Sequence, residues 1–134
     1  GELRFVDDST ATTPEAAIAA LRAVPKPVVL LAGGSDKGAD YAELGQVAAE
    51  EAAVVVCLGE VGERIAAAVA AAPGSAEVVR VSGGFEEAFA AALARCGAEG
   101  TLLLSPAAAS YDMFANFKAR GRRFAELSAA AESD

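Results

Sequence analysis

The stretch Pro27-Val28-Val29-Leu30-Leu31-Ala32-Gly33-Gly34-Ser35-Asp36-Lys37-Gly38-Ala39-Asp40 decides the reading of the fold. Its first half, Pro27–Ala32, is apolar at every position, without the polar alternation of a half-exposed strand. A strand of that kind is covered on both faces, as in a parallel sheet. Its second half is a polar, glycine-rich loop ending in Asp40, a residue suited to capping a helix. Beyond it, Tyr41, Leu44 and Val47 fall on one helical face. Strand, polar loop and amphipathic helix follow one another within one short segment.

The same unit recurs on either side. Apolar runs stand at Leu3–Val6, Ala53–Leu58, Glu77–Val81 and Thr101–Leu104. The segment Pro14–Val24 places Ala17, Ile18, Leu21 and Val24 on one face, with Thr13 as N-cap and Pro14 at the first helical position. Val61, Ile65, Val69 and Ala72 align next and are closed by Pro73-Gly74. Phe85, Phe89, Leu93 and Cys96 align and stop at Gly97. A last helix is expected to begin near Ser110-Tyr111-Asp112 and to align Phe114, Phe117, Gly121, Phe124 and Leu127. Alternating strands and helices predict an α/β domain, a three-layer α/β/α Rossmann-like arrangement with a mostly parallel sheet of five or six strands. Ligands in such sheets bind at the carboxyl ends of the strands. That directs attention to the loops after Val6, Ala32, Leu58, Val81 and Leu104, and among them to the three polar ones after Val6, Ala32 and Leu104.

Composition bounds what those loops can do. The 134 residues suit one domain with its own core, at 54% hydrophobic content. No apolar run approaches the roughly 20 residues of a membrane span, and Gly1–Thr10 lacks the pattern of a signal peptide. The chain is therefore expected to be cytoplasmic, with no membrane partner. The sequence has no histidine and two cysteines, which excludes Ser-His-Asp and Cys-His catalysis and gives no zinc-site spacing. Cys57 and Cys96 read as reduced thiols. A net charge of −8 opposes binding to nucleic acid, so an anionic ligand must be held by local donors.

Each of the three loops has two readings. Asp7-Asp8-Ser9-Thr10-Ala11-Thr12-Thr13 is either a capped turn or a set of hydroxyl and carboxylate groups for a small ligand. The loop Gly33–Asp40 is either a glycine-rich turn with a solvated lysine or an anion site around Lys37. It follows neither the Walker A order nor Gly-x-Gly-x-x-Gly. In Ser105-Pro106-Ala107-Ala108-Ala109-Ser110, Ser110 is expected to cap the last helix, whose free N–H groups would favour an anion. Gly121 suggests close packing, and Lys118, Arg120, Arg122 and Arg123 read as a solvated face. The residues alone end at an α/β domain binding a small anion, with no catalytic residue and no metal ligand assigned.

Taken together, three strings resemble the Mur ligase family, in its glutamate-adding branch. They are Asp7-Asp8-Ser9-x-Ala11-Thr12, Gly33-Gly34-x-Asp36-Lys37-Gly38-x-Asp40, and Leu104-Ser105-Pro106-Ala107-x-Ala109-Ser110-x-Asp112-x-Phe114-x-x-Phe117-x-x-Arg120-Gly121-x-x-Phe124. The resemblance covers nearly the whole chain and implies the third, Rossmann-like domain of a three-domain enzyme, spanning residues 1–134. The UDP-binding and ATP-binding domains are not represented. It implies an enzyme that uses ATP and Mg2+ to activate the carboxylate of UDP-MurNAc-L-alanine as an acyl phosphate, which the amine of glutamate then attacks. Glutamate, UDP-MurNAc-L-alanine and ATP are thus the implied partners of the complete enzyme, a monomer. The fragment alone is expected to hold no cofactor and to be inactive. Thr12, Lys37, Ser110 and the backbone at Phe117 match the family's glutamate-carboxylate contacts. Asp8 and Thr10 match positions beside the nucleotide. Thr10 departs from the family's usual lysine, and Thr13 from its usual asparagine. The Thr-Thr-Pro run leaves open a variant that adds L-glutamate rather than D-glutamate. A stand-alone binding module for an acidic metabolite also stays open.

Overall fold

The computed structural model describes residues 2–110 and 113–132. Its elements alternate as the apolar runs predict: β1 (Leu3–Asp7), α1 (Pro14–Ala23), β2 (Val28–Gly33), α2 (Ala42–Glu51), β3 (Val54–Leu58), α3 (Gly62–Ala71), β4 (Glu77–Arg80), α4 (Phe85–Arg95), β5 (Gly100–Leu104) and α5 (Phe117–Glu132). The five strands form one all-parallel sheet in the order β1-β5-β2-β3-β4. The three middle strands, β5, β2 and β3, are buried at every position. This is why their sequences read as unbroken apolar runs. The edge strands β1 and β4 are partly exposed.

The alternation along each strand sorts the core into two layers. Leu30, Ala32, Val55 and Cys57 pack with Ala17, Leu21, Leu44, Ile65 and Val69, the inner faces of α1, α2 and α3. Leu31, Val56, Leu58 and Leu104 pack on the other side with Phe85 and Phe89 of α4 and Phe124 of α5. Phe89 and Phe124 meet edge to face at 5.6 Å. The chain moves outward from β2 through β3 to β4, then returns to lay β5 between β1 and β2. With crossovers of one hand, that reversal puts α4 on the face opposite α1–α3.

Local signals explain most boundaries. The Thr13 hydroxyl accepts from the Ala16 N–H at 3.2 Å and Pro14 opens α1, a cap contributing about 1 kcal/mol. Two boundaries differ from expectation. Tyr41, not Asp40, takes the N-cap position of α2, because its ring is buried and its hydroxyl reaches the Ala107 carbonyl at 3.2 Å. Asp40 still accepts from the Ala42 N–H at 2.9 Å, one step outside the helix. The last helix does not begin near Ser110. The Ser110 carbonyl accepts from Met113 and Phe114 in a turn, and α5 starts at Phe117. The Asn116 side chain accepts from the Ala119 N–H at 2.9 Å, which is the bond of an N-cap. Tyr111 and Asp112, part of the expected start, lie outside the described residues.

Candidate functional site

The insertion of β5 between β1 and β2 brings the three polar loops together at the carboxyl edge of the sheet. Backbone bonds join them. Asp8 N–H donates to Leu104 O at 2.7 Å, Ala107 N–H to Ala11 O at 2.8 Å, Gly33 N–H to Pro106 O at 2.9 Å and Ser35 N–H to Ala109 O at 2.8 Å. Gly34 is required for this closeness, and Gly33 for the approach of β2 to the end of β3. A Cβ on Gly33 would stand 1.8 Å from Leu58 O, and one on Gly34 would stand 2.1 Å from Ala109 O. Both also have positive φ, which favours glycine. Ala107 holds φ +60, uncommon for a residue with a side chain. Its N–H is fixed by Ala11 and its carbonyl by Tyr41, so the surroundings maintain the strained conformation.

The expected site residues occupy this edge in two groups. Asp8 is half-buried and accepts from the buried Ser105 hydroxyl at 3.0 Å. That bond leaves the other carboxylate oxygen directed toward Thr10, 3.5 Å from its hydroxyl. Thr10 is exposed, and Phe117 is 39% exposed. These two line one groove of about 370 Å³ with Asp7, Ser9, Lys118, Gly121 and Arg122. Thr12 is half-buried, its N–H turned back to Thr10 O at 2.9 Å. Ser110 is buried and lines a separate small enclosure with Gly33, Gly34, Phe114 and Arg120. Lys37 is exposed and, among the described residues, has no hydrogen bond or ion pair. The structure therefore joins Thr10 and Phe117 around one groove, with Asp8 beside Thr10, and sets Ser110 with the glycine loop that carries Lys37.

Two arginines matter here that sequence reading missed. Arg120 is not part of a solvated face: it is 3% exposed and donates to Ser9 O and Ala108 O, both at 3.1 Å. One guanidinium thus ties α5 to the β1 and β5 loops. A signal for this existed, since Arg120, Phe124 and Ser128 repeat every fourth residue on the buried stripe. Arg123 differs again, paired with Glu86 and Glu126, while Lys118 and Arg122 are exposed as expected. The suggested close packing at Gly121 is present: a Cβ there would stand 2.7 Å from an Asp7 carboxylate oxygen. The second arginine, Arg64 of α3, pairs with Asp36 at 2.9 Å. The Gly38 N–H and then Arg64 hold the Asp36 carboxyl below its ordinary value.

The donor inventory limits the ligand. Gly33 and Ser35 spend their N–H groups on loop carbonyls, and Gly38 spends its own on Asp36. The Asp36 N–H is taken by Glu60 as well, so these four backbone donors of the glycine loop are not available to a ligand. Among the described residues no three acidic or cysteine side chains converge on a metal position. The groups available are the Lys37 ammonium and several hydroxyls, with Lys118 and Arg122 at the Phe117 groove, which suits a small carboxylate. The Asp8 carboxylate suits a hydroxyl donor such as a ribose.

Comparison with known proteins decides the family. A family model described as "Mur ligase, glutamate ligase domain" matches residues 1–108. The chain belongs to the Mur ligase family. Three relatives of this Mur ligase domain bear the name UDP-N-acetylmuramoylalanine–D-glutamate ligase. The one from Symbiobacterium thermophilum is 39% identical over 125 residues, covering 93% of this chain and 27% of the relative. That from Pelotomaculum thermopropionicum is 42% identical over 127 residues, covering 93% and 27%. That from Ralstonia nicotianae is 41% identical over 133 residues, covering 99% and 26%. The chain spans about a quarter of the length of these relatives. The family match contains the β1 and β2 loops, and the similarity to whole relatives carries on into α5 of this Mur ligase domain.

Proposed function

We propose that this Mur ligase domain is the glutamate-binding part of an ATP-dependent ligase that adds D-glutamate to UDP-MurNAc-L-alanine. The observation that carries the reading is the unpaired Lys37 on a loop bonded to the one that holds Ser110. Glutamate is a dicarboxylate, and the Lys37 ammonium supplies the charge for one carboxylate. The Thr12 and Ser110 hydroxyls and the first N–H groups of α5, at Phe117, supply hydrogen bonds to the other. Held at both ends, glutamate presents its amine to the activated carboxylate of the second substrate, and the barrier falls through positioning. Asp8, beside Thr10, accepts a hydrogen bond from the nucleotide's ribose. Among the described residues no cluster of acidic side chains suits Mg2+, and in this reading the nucleotide's phosphates and Mg2+ belong to another part of the ligase. The names of the relatives support D-glutamate as the isomer. No described helix is long and apolar enough to cross a membrane, in keeping with a cytoplasmic enzyme.

The test is steady-state kinetics of the complete ligase with D- and L-glutamate varied in turn. A charge-assisted hydrogen bond contributes about 1.5–3 kcal/mol, so Lys37→Ala raises the KM for D-glutamate roughly 10–150-fold. Arg22→Ala, the loss of an exposed cation at the end of α1, leaves it unchanged. If the two variants behave alike, Lys37 is a solvated charge and the reading is wrong.

A further inference from the structure

The loop that carries Lys37 leaves the sheet edge after Gly34, and its hold on the rest of the molecule comes largely from α3 and the residues just before it. Val61 N–H donates to Gly34 O at 3.0 Å. The Glu60 carboxylate accepts from the Asp36 N–H at 2.7 Å. Arg64 reaches back with both terminal nitrogens, one to the Asp36 carboxylate at 2.9 Å and one to the Ala39 carbonyl at 2.6 Å. The Asp36 carboxylate also accepts from the Gly38 N–H at 2.8 Å. The residues flanking Lys37 are thus fixed from both sides, while its own side chain stays free. The guanidinium further lies 5.2 Å from the centre of the Tyr41 ring, and the Tyr41 hydroxyl bonds the Ala107 carbonyl of the β5 loop.

We propose that Arg64, with Glu60, is the positioning group that sets where the Lys37 ammonium stands relative to the β5 loop. The proposal rests on the reading of Lys37 as the cation for glutamate. An ion pair as exposed as Arg64–Asp36 contributes little to global stability. Its consequence is local: a loop fixed before glutamate arrives loses less freedom on binding. The pair Arg80–Glu63, also anchored on α3, provides the contrast. It is just as short at 2.7 Å, but among the described residues it joins α3 to β4 rather than to a site loop.

The complete ligase tests this through single and paired substitutions. Arg64→Ala raises the KM for D-glutamate about 3–10-fold, with kcat at saturation and Tm nearly unchanged. Arg64→Lys restores part of the effect, since an ammonium reaches one acceptor where the fork reaches two. Arg80→Ala is silent. In a Lys37→Ala background, Arg64→Ala adds nothing, because a residue acting through Lys37 has nothing left to position. If Lys37→Ala raises the KM and Arg64→Ala does not, or if the two effects multiply, the positioning role is refuted and the glutamate site stands. If Lys37→Ala is itself silent, the site reading fails and the positioning role fails with it.

Discussion

The guanidinium of Arg120 and the carbonyl of Ser9 meet at 3.1 Å although 111 residues separate them in the chain. The same nitrogen serves Ala108 O. A buried cation bonded to backbone carbonyls of two loops makes those loops one unit with α5. Replacing it by Met leaves two carbonyls without their donor, and each unsatisfied buried group costs about 1–3 kcal/mol. Arg120→Met is therefore expected to lower stability by at least that amount in urea unfolding, with Arg120→Lys intermediate. A wild-type midpoint for Arg120→Met would show the contacts to be idle.

Two glycines of one loop should respond differently to alanine. At Gly34 the new Cβ meets Ala109 O at 2.1 Å with φ at +150, and backbone on both sides prevents relief. Gly34→Ala is expected to cost about 3 kcal/mol or more. Gly38 has φ +79 but nothing within 4 Å of the added atom, so Gly38→Ala costs about 1–2 kcal/mol. Equal losses in thermal unfolding would contradict the close approach of the β2 and β5 loops.

The two thiols should be unreactive in the folded chain. Burial pushes Cys57 up to about 12 and Cys96 up to about 11, from 9.0. Because the folded values are raised, the stability linked to these neutral thiols is full below pH 9.0 and is lost as pH climbs toward those values. A disulfide reagent at pH 8 should label the unfolded chain much faster than the native one. Cys57→Ala should flatten the alkaline decline. Rapid native labelling of Cys57 would show that its strand opens readily.

The isolated domain should bind glutamate with Kd near 1 mM or weaker, equivalent to about −4 kcal/mol, and turn over no ATP. The exposed Lys37 and the groove at Phe117 supply few contacts, and the N–H groups of Gly33, Ser35, Asp36 and Gly38 are already used. Titration followed by NMR, with an ATPase assay alongside, measures both. Micromolar binding would mean that the site is complete within this chain.

The strands were legible because burial on both faces leaves an unmistakable sequence trace, as in Val54–Leu58, where every residue is apolar and buried. The meeting of the three polar loops was legible by position, since a parallel sheet brings the loops that follow its strands to one edge. The start of α5 was not. Ser110 has the chemistry of a cap, but its carbonyl serves a turn and Asn116 does the capping. Arg120 was hidden by the neighbouring charges Lys118, Arg122 and Arg123, although its spacing to Phe124 placed it on the buried stripe. The pairing of Arg64 with Asp36 spans 28 residues and has no local signature, so only the fold reveals it.

The place of β5 also orders events during synthesis. β1 and β2 border the same gap, and what fills it is made after β3 and β4. A ribosome that has released β2, β3 and β4 can pair them at once, because they adjoin in the order they are made. β1 must wait, with both edges unpaired, until Gly100–Leu104 emerges. The edge where the three polar loops meet is therefore assembled only once β5 has been made. A chain stalled before residue 100 holds four of the five strands but neither Ser110 nor the start of α5, and its unpaired strand edges make it a species in need of a chaperone.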